Sequence, residues 1–288
     1  MSEGLHSSNF GSQGGHNSTI GSVSGAAGAD YTFKFRKKSL LPQTIAYLKQ
    51  CNPQPSKAWT KALNTFIKSQ IACGNWSLFD RLWIFATDNQ QNARVSIVNP
   101  TSTQITEVPN GGTLTWTKDV GYSGDGVASY LNTNYTPSTQ GVNYTLNSAS
   151  IGINLQTNAS GLYIDFSASD AAGVYTHVFL NYNGLDYCRV NNSAADYIST
   201  TAKGTAGFYS NVRSNSTTLA GYFNGSSYYT GSKTAVTVLA VPLFIAATNG
   251  NGTPQYFSPR TYSMAYIGSG NINQLSLYNA WQTFLTQI

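Results

Sequence analysis

Two pairs of residues that directly follow tight turns are the best candidates for chemistry in this sequence. Asp186-Tyr187 comes after the Asn183-Gly184 turn, and Tyr228-Tyr229 comes after the Asn224-Gly225 turn. An aromatic ring can stack on the apolar face of a sugar, and loops on a rigid scaffold carry most binding sites. The alternative is that these tyrosines line a low-charge surface with their hydroxyl groups in water. The predicted sugar-binding residues are Asp186, Tyr187, Tyr228 and Tyr229.

Catalytic groups are scarce in the sequence. A glycosidase needs two neighbouring carboxyl groups, but the glutamates are only Glu3 and Glu107 and no predicted strand carries a carboxylate pair. A Ser-His-Asp site needs a histidine as base. His177 is the only histidine outside the N-terminal tail, and a single histidine within a strand is more often structural than catalytic. We therefore predict no catalytic residue, and a protein that is not an enzyme.

Metal ligands and disulfides are also not indicated. Calcium prefers six or more oxygen ligands, several of them anionic, and the sequence has no Asp-x-Asp run. Single aspartates such as Asp119 and Asp125 remain the candidates if calcium binds. The three cysteines Cys51, Cys73 and Cys188 form no close pair, which argues against a disulfide framework and against zinc. The predicted site contains no metal and no cofactor.

Charge is distributed unevenly along the chain. Only 9% of the 288 residues are charged, far below the usual quarter, so Asn, Ser, Thr, Gln and Tyr must form most of the polar surface. Residues 31–70 nevertheless contain eight basic residues and no acidic one. Such a segment is either a solvated helix face or a contact for an acidic partner, nucleic acid or protein. The basic residues predicted to form an anchor are Lys34, Arg36, Lys37 and Lys38.

Composition predicts three segments. Residues 1–30 are rich in Gly and Ser and lack the apolar residues for a core, so we expect only partners to order them. Residues 31–92 form a basic helical anchor segment, and residues 93–288 form a β-sandwich with a C-terminal helix. No apolar run reaches the roughly 18 residues of a membrane span. The start of the sequence lacks the features of a signal peptide, so we expect synthesis in the cytoplasm.

Periodicity assigns most of the chain to short strands. Helices are predicted at 39–50, from the Ser56 cap to Gly74, at 78–85, and at 273–287 with Leu275, Tyr278, Trp281 and Leu285 on one side. The predicted strands are 95–98, 113–117, 142–153, 161–166, 174–182, 185–190, 206–212, 219–223, 238–248 and 261–267. Four Asn-Gly pairs, the strongest local hairpin signal, lie among them at 110–111, 183–184, 224–225 and 251–252. This pattern indicates a mainly β sandwich.

Several segments resemble known proteins. The Gly-Asp-Gly turn at 124–126, Tyr130-Leu131 and the Asn-Tyr-Thr-Pro-Ser step at 134–138 resemble the opening of laminin-G/concanavalin-A-like jelly-roll domains. More closely, residues 78–87, 93–103, 121–145 and 260–270 are similar to bacteriophage virion proteins, mostly from phages of Bacteroidetes-type hosts. The likeness extends from about residue 56 to the C-terminus and includes no catalytic motif.

The resemblance implies a structural protein of a bacteriophage particle. We expect it in the virion, attached to other virion proteins through residues 1–60, with a jelly-roll domain that contacts host or environmental glycans, including those of cell surfaces. A purely structural capsid or decoration protein without a ligand is the alternative, and a glycan-degrading enzyme is a weaker one. Low-charge surfaces and the symmetry of virion projections predict a homo-oligomer, with a trimer favoured.

Overall fold

The computed structural model describes residues 40–288. The predicted tail at 1–30 and the anchor residues Lys34, Arg36, Lys37 and Lys38 lie outside the described residues. The helices formed within 40–288 are α1 Pro42–Leu48, α2 Lys57–Ala72, α3 Gln90–Ala93, α4 Pro137–Gln140 and α5 Gln274–Leu285. None of them is long and apolar enough to cross a membrane.

Seventeen short strands are formed in the same part of the chain. They are β1 Phe79–Ile84, β2 Thr106–Val108, β3 Thr115–Thr117, β4 Gly121–Ser123, β5 Tyr130–Asn132, β6 Ala149–Leu155, β7 Ile164–Ser169, β8 Val174–Tyr182, β9 Leu185–Ser193, β10 Ile198–Thr201, β11 Gly207–Arg213, β12 Thr218–Phe223, β13 Ser226–Ser232, β14 Phe244–Ile245, β15 Thr248–Gly250, β16 Thr253–Gln255 and β17 Thr261–Gly268.

The strands form two sheets. Sheet 1 has the order β13-β12-β11-β6-β17-β4-β3, with β1 also paired to β17. Sheet 2 has the order β10-β9-β8-β7-β14-β5-β2, with β15 and β16 attached at β7. Neighbouring strands are antiparallel except for β15, which runs parallel to β7. The predicted mainly β sandwich is confirmed: two largely antiparallel sheets form it, with helices towards both ends of the described chain.

Alternation along the strands decides which side chains enter the sandwich. On β8, Val174, Val178 and Leu180 belong to the core between the sheets, whereas Tyr175, His177 and Phe179 line a cavity on the opposite face, because successive strand side chains alternate. The Asn183-Gly184 turn joins β8 to β9 with φ of 51° and 75° at its two residues. Positive φ at both positions is what a type I′ hairpin requires, and Asn-Gly adopts it with little strain.

A second core covers the outer face of sheet 1. Helix α2 contributes Trp59 and Phe66, helix α5 contributes Trp281 and Phe284, and Tyr266 of β17 lies with them in one buried cluster. The Trp59 and Phe284 rings meet edge to face with centroids 5.8 Å apart. Helices α1, α2 and α5 therefore share a core with the sandwich. The division predicted between residues 31–92 and 93–288 stays a prediction.

The helix predicted at 78–85 is wrong. Residues Trp76–Leu78 form one 3-10 turn, and strand β1 follows with all six residues buried. Its side chains reach both cores, Trp83 the one between the sheets and Leu82 the one under the helices. Apolar residues would nearly surround this segment in a helix and show no clear period, so the sequence could not distinguish a buried strand from a buried helix.

Asp80 of β1 binds a neighbouring loop through its side chain. Its carboxylate accepts hydrogen bonds from the backbone N–H groups of Val142 (3.2 Å), Asn143 (2.8 Å) and Tyr144 (3.0 Å), and from the Tyr135 hydroxyl (2.6 Å). These bonds hold the loop that leads into β6. They also explain why the strand predicted at 142–153 begins only at Ala149.

Three further predictions need correction. Residues 95–98 are not a strand, although Val95 and Ile97 are buried under the helices. Helix α5 forms where predicted, with the Asn273 side chain as its N-cap, but Leu275 is 50% exposed and the buried face is instead formed by Leu277, Ala280, Trp281 and Phe284. The segment predicted as one strand at 238–248 contains only the short β14 and the start of β15.

Candidate functional site

A cavity of about 290 Å³ opens on the outer face of sheet 2. Its polar side chains form a row across five strands. Gln255 of β16 pairs with Thr248 of β15, Thr248 with Ser167 of β7, Ser167 with His177 of β8, and His177 with Arg189 of β9. All five line the cavity, and we call them the polar row. The row brings amide, hydroxyl, imidazole and guanidinium groups to one surface.

The walls of the cavity are aromatic and aliphatic. They comprise Leu162, Ile164, Tyr175, Phe179 and Tyr256. Leu162 and Tyr256 are each 44% exposed, which leaves apolar surface open to a ligand at the rim. Tyr256 has a φ of 55°, a conformation that costs free energy for a bulky residue. Its backbone carbonyl accepts a hydrogen bond from the Ile164 N–H at 3.0 Å, which fixes Tyr256 beside the cavity.

His177 lies in the middle of the polar row and is only 2% exposed. Within residues 40–288 its Nε2 has no hydrogen-bond partner. Burial and, secondarily, the charge of Arg189 lower the pKa of the imidazole well below its ordinary value of 6.5. The imidazole is therefore neutral at pH 7, and Nε2 is a buried polar atom of a residue that lines the cavity.

Arg189 closes the row at one end. Its guanidinium carbon lies 4.9 Å from the ring centroids of both Tyr175 and Tyr197. One guanidinium nitrogen donates to the carbonyl of Ala194, while Nε has no partner in the described part of the chain. Burial lowers the pKa of this guanidinium, yet an arginine stays charged at neutral pH. The cavity therefore contains one cation, held by two aromatic rings.

Among the described residues that line the cavity there is no Asp, Glu or Cys. The cavity therefore offers no carboxylate pair for glycoside hydrolysis and no thiol nucleophile. The cavity has hydrogen-bonding groups on its floor and apolar groups on its walls. Within residues 40–288, no cluster of three or more His, Cys, Asp or Glu side chains could hold a metal ion.

The sequence-predicted residue Asp186 lies inside the fold. It is 1% exposed, and its carboxylate accepts hydrogen bonds from the N–H groups of Asn181 (2.8 Å) and Lys203 (3.0 Å) and from the Tyr228 hydroxyl (3.3 Å). Burial raises the pKa of this carboxyl group. Asp186 therefore holds the end of β8, the segment at Lys203 and Tyr228 together, and its oxygens already have protein donors.

The three predicted tyrosines lie on different faces. Tyr228 and Tyr229 are half-buried against the core between the sheets, with ring centroids 4.4 Å apart. Tyr187 lies on the outer face of sheet 2, stacked on Phe179 at 5.1 Å and 20°. Since Phe179 lines the cavity, Tyr187 borders it through one ring. The structure thus joins Asp186 to Tyr228 in the interior and brings Tyr187 to the cavity. Sugar binding by these residues stays a prediction.

Asp125, a calcium candidate, forms a turn. Its Oδ1 accepts hydrogen bonds from the N–H groups of Val127, Ala128 and Ser129, and its Oδ2 accepts one from Thr113. Burial opposes ionisation, but these four donors outweigh it and hold the pKa of the carboxyl group well below its ordinary value. Both oxygens of Asp125 therefore have protein donors in the turn that leads into β5.

Comparisons with known proteins give distant structural similarities and no sequence match. No protein-family model matches the sequence, and no curated protein sequence matches it. Among solved structures, the CBM40 domain of the Ruminococcus gnavus IT-sialidase, bound to α2,3-sialyllactose, shares 13% identity over 47% of this chain and 83% of its own, with a TM-score of 0.38. Domain 4 of AbnA, an extracellular GH43 arabinanase from Geobacillus stearothermophilus in complex with arabinotriose, shares 10% identity over 70% of this chain and 98% of its own, with a TM-score of 0.46. A mutant of HCR/D shares 11% identity over 72% of this chain and 52% of its own, with a TM-score of 0.48.

His177 makes the free energy of unfolding depend on pH. Because the pKa of the folded imidazole lies well below 6.5, only the unfolded chain binds this proton just below pH 6.5. His177 therefore destabilises the fold as the pH falls from about 6.5 towards the folded pKa, by up to about 1.4 kcal/mol per pH unit, and has no such effect above that window. Urea denaturation at pH 7.5 and 5.5 should show this loss. The His177→Gln variant should lose less, and an equal loss in both proteins would contradict the assignment.

Proposed function

We propose that the chain is a carbohydrate-binding protein that holds a sugar in the cavity on the outer face of sheet 2. The observation that carries the proposal is the apolar rim formed by Tyr256 and Leu162 beside the polar row. A sugar ring has an apolar face and a set of hydroxyl groups, so it can use both surfaces at once. Ligand sites commonly combine apolar walls with a few well-placed polar groups in this way.

The setting we propose for this domain is a bacteriophage particle. The resemblance of residues 78–87, 93–103, 121–145 and 260–270 to virion proteins supports it, as does the basic segment at 31–70. In this proposal residues 1–60 contact other virion proteins and the sandwich contacts glycans of the host or its surroundings. A homo-oligomer, with a trimer favoured, would give several copies of the cavity and raise the avidity for a glycan-coated surface.

Replacement of Tyr256 tests the proposed function. A stacking ring contributes about 1–2 kcal/mol by analogy with other aromatic contacts, so Tyr256→Ala should weaken glycan binding roughly tenfold. The measurement is binding of the full chain to a glycan array, followed by calorimetry with the best ligand. Tyr222→Ala, in β12 of the other sheet, is the matched control and should bind as the unmodified protein does. The proposal fails if no glycan binds, or if both variants bind equally well.

A further inference from the structure

We propose that the sugar bound in this cavity carries a carboxylate and that Arg189 binds it. The inference rests on the proposed function and specifies the class of ligand. It starts from the charge of the cavity, where Arg189 is present and the described lining residues include no Asp or Glu. An anionic ligand would therefore meet one fixed cation and no fixed anion.

Arg189 has no ion-pair partner in the part of the chain that the structure describes. Asp196 is the aspartate that acts on it through its charge, but this carboxylate pairs with Lys233 at 3.6 Å and accepts a hydrogen bond from the Ser193 hydroxyl at 3.2 Å. The Nε of Arg189 is buried and lacks a partner among residues 40–288. Buried donors are normally satisfied, so a ligand acceptor at this position would complete the site.

The guanidinium is also held in place before a ligand arrives. The Tyr175 and Tyr197 rings lie 4.9 Å from it, and the Ala194 carbonyl accepts one of its N–H bonds. A fixed planar guanidinium loses little side-chain entropy on binding, and its parallel N–H groups match the two oxygens of a carboxylate. A lysine at this position would offer only a point charge on a flexible stem.

The neighbouring groups suit the rest of an acidic sugar. His177, whose Nε2 is unpartnered among the described residues, lies next to Arg189 in the polar row. Ser167 and Thr248 follow on the next two strands, and their hydroxyl oxygens are 2.7 Å apart. These groups can bond ring hydroxyls while the exposed Tyr256 ring covers an apolar face. The ligand class is therefore a sugar that presents a carboxylate and hydroxyl groups on one edge.

Matched acids and esters test the inference on the unmodified full chain. The probes are trigalacturonate, a hyaluronan tetrasaccharide and sialyllactose, each as the free acid and as its methyl ester, which removes the charge and keeps the ring. Since a hydrogen bond to a charged group is worth more than a neutral one, at least one acid should bind about tenfold or more tightly than its ester in calorimetry. Equal binding of every acid and its ester, or binding of neutral glycans alone, would overturn the inference and leave the proposed function standing. Binding to no glycan at all would overturn both.

Variants assign the preference to Arg189. Arg189→Gln should bind acid and ester with similar affinity, whereas Arg189→Lys should keep part of the preference for the acid. Lys118→Gln removes an exposed cation elsewhere on the protein and should change neither affinity. Thermal denaturation shows whether each variant is folded. A folded Arg189→Gln protein that still prefers the acid by tenfold would refute the role of Arg189, and if that variant does not fold, Arg189→Lys and the acid–ester comparison decide.

Discussion

Replacement of Asp165 by asparagine is expected to lower the free energy of unfolding by about 3–5 kcal/mol. Arg260 Nη1 donates to Asp165 Oδ2 at 2.6 Å, and both side chains are fully buried. Burial alone would lower the pKa of the guanidinium, but the charge of Asp165 outweighs it and raises the pKa of Arg260. Without the carboxylate, a charged guanidinium would remain in the interior with no ion pair among residues 40–288, since Asp186 acts on it only over a longer distance. Urea denaturation at neutral pH measures the loss.

An exposed pair provides the control for this prediction. Asp196→Asn removes the partner of Lys233 at the surface, where such a pair is worth about 0–1 kcal/mol. The double variant Asp165→Asn/Arg260→Met should recover part of the stability, because no unpaired charge is then buried. Equal losses for Asp165→Asn and Asp196→Asn would show that the buried ion pair contributes no more to stability than the exposed one.

Deletion of residues 1–55 is expected to cost at least about 3–5 kcal/mol more stability than deletion of residues 1–39. The longer deletion removes helix α1 and with it Tyr47, which is 0% exposed. The Tyr47 ring stacks on Trp59 with centroids 5.8 Å apart, and its hydroxyl donates to the Asn92 carbonyl at 3.0 Å. Chemical denaturation of the two truncated proteins measures the difference.

The same pair of deletions separates folding from attachment. If residues 1–60 contact the particle, the protein without residues 1–39 should be folded and should copurify with virions at reduced stoichiometry. Tyr47→Ala in the full chain is the matched control, since it opens the second core and leaves the N-terminal segment present. Equal stability of the two truncated proteins would show that α1 contributes nothing to the sandwich.

Local sequence signals sufficed for much of sheet 2. The strand predicted at 174–182 matches β8 at both ends, because apolar residues alternate along it and Asn183-Gly184 ends it. The N-cap of α2 was also predictable, since Ser56 accepts a hydrogen bond from the N–H of Trp59 at 3.2 Å. These features depend on neighbours within a few residues, which is the range over which sequence patterns carry information.

The candidate site could not be assembled from the sequence. The polar row joins Arg189, His177 and Thr248 through strand register, and a register shift between Tyr175 and His177 sets the pairing of β8 with β9. If the pairing at Tyr175 continued without the shift, Val190 would lie opposite His177, and Arg189 would no longer be its partner. Tyr256 gave no signal either, because its place at the rim follows from a positive φ in an irregular segment.

The positions of the ion pairs determine how dissolved salt acts on this molecule. Of the four pairs found within residues 40–288, three are at least partly exposed and the fourth, Asp165–Arg260, is sealed from solvent. Ions screen exposed charges over about 10 Å at 0.1 M but scarcely reach a buried pair. Higher ionic strength should therefore leave the sandwich almost unchanged while it weakens the attraction between Arg189 and an anionic glycan. If the domain stands on a particle and binds an anionic glycan there, as we propose, adhesion would change with the salinity of the water, whereas the fold of the domain would not.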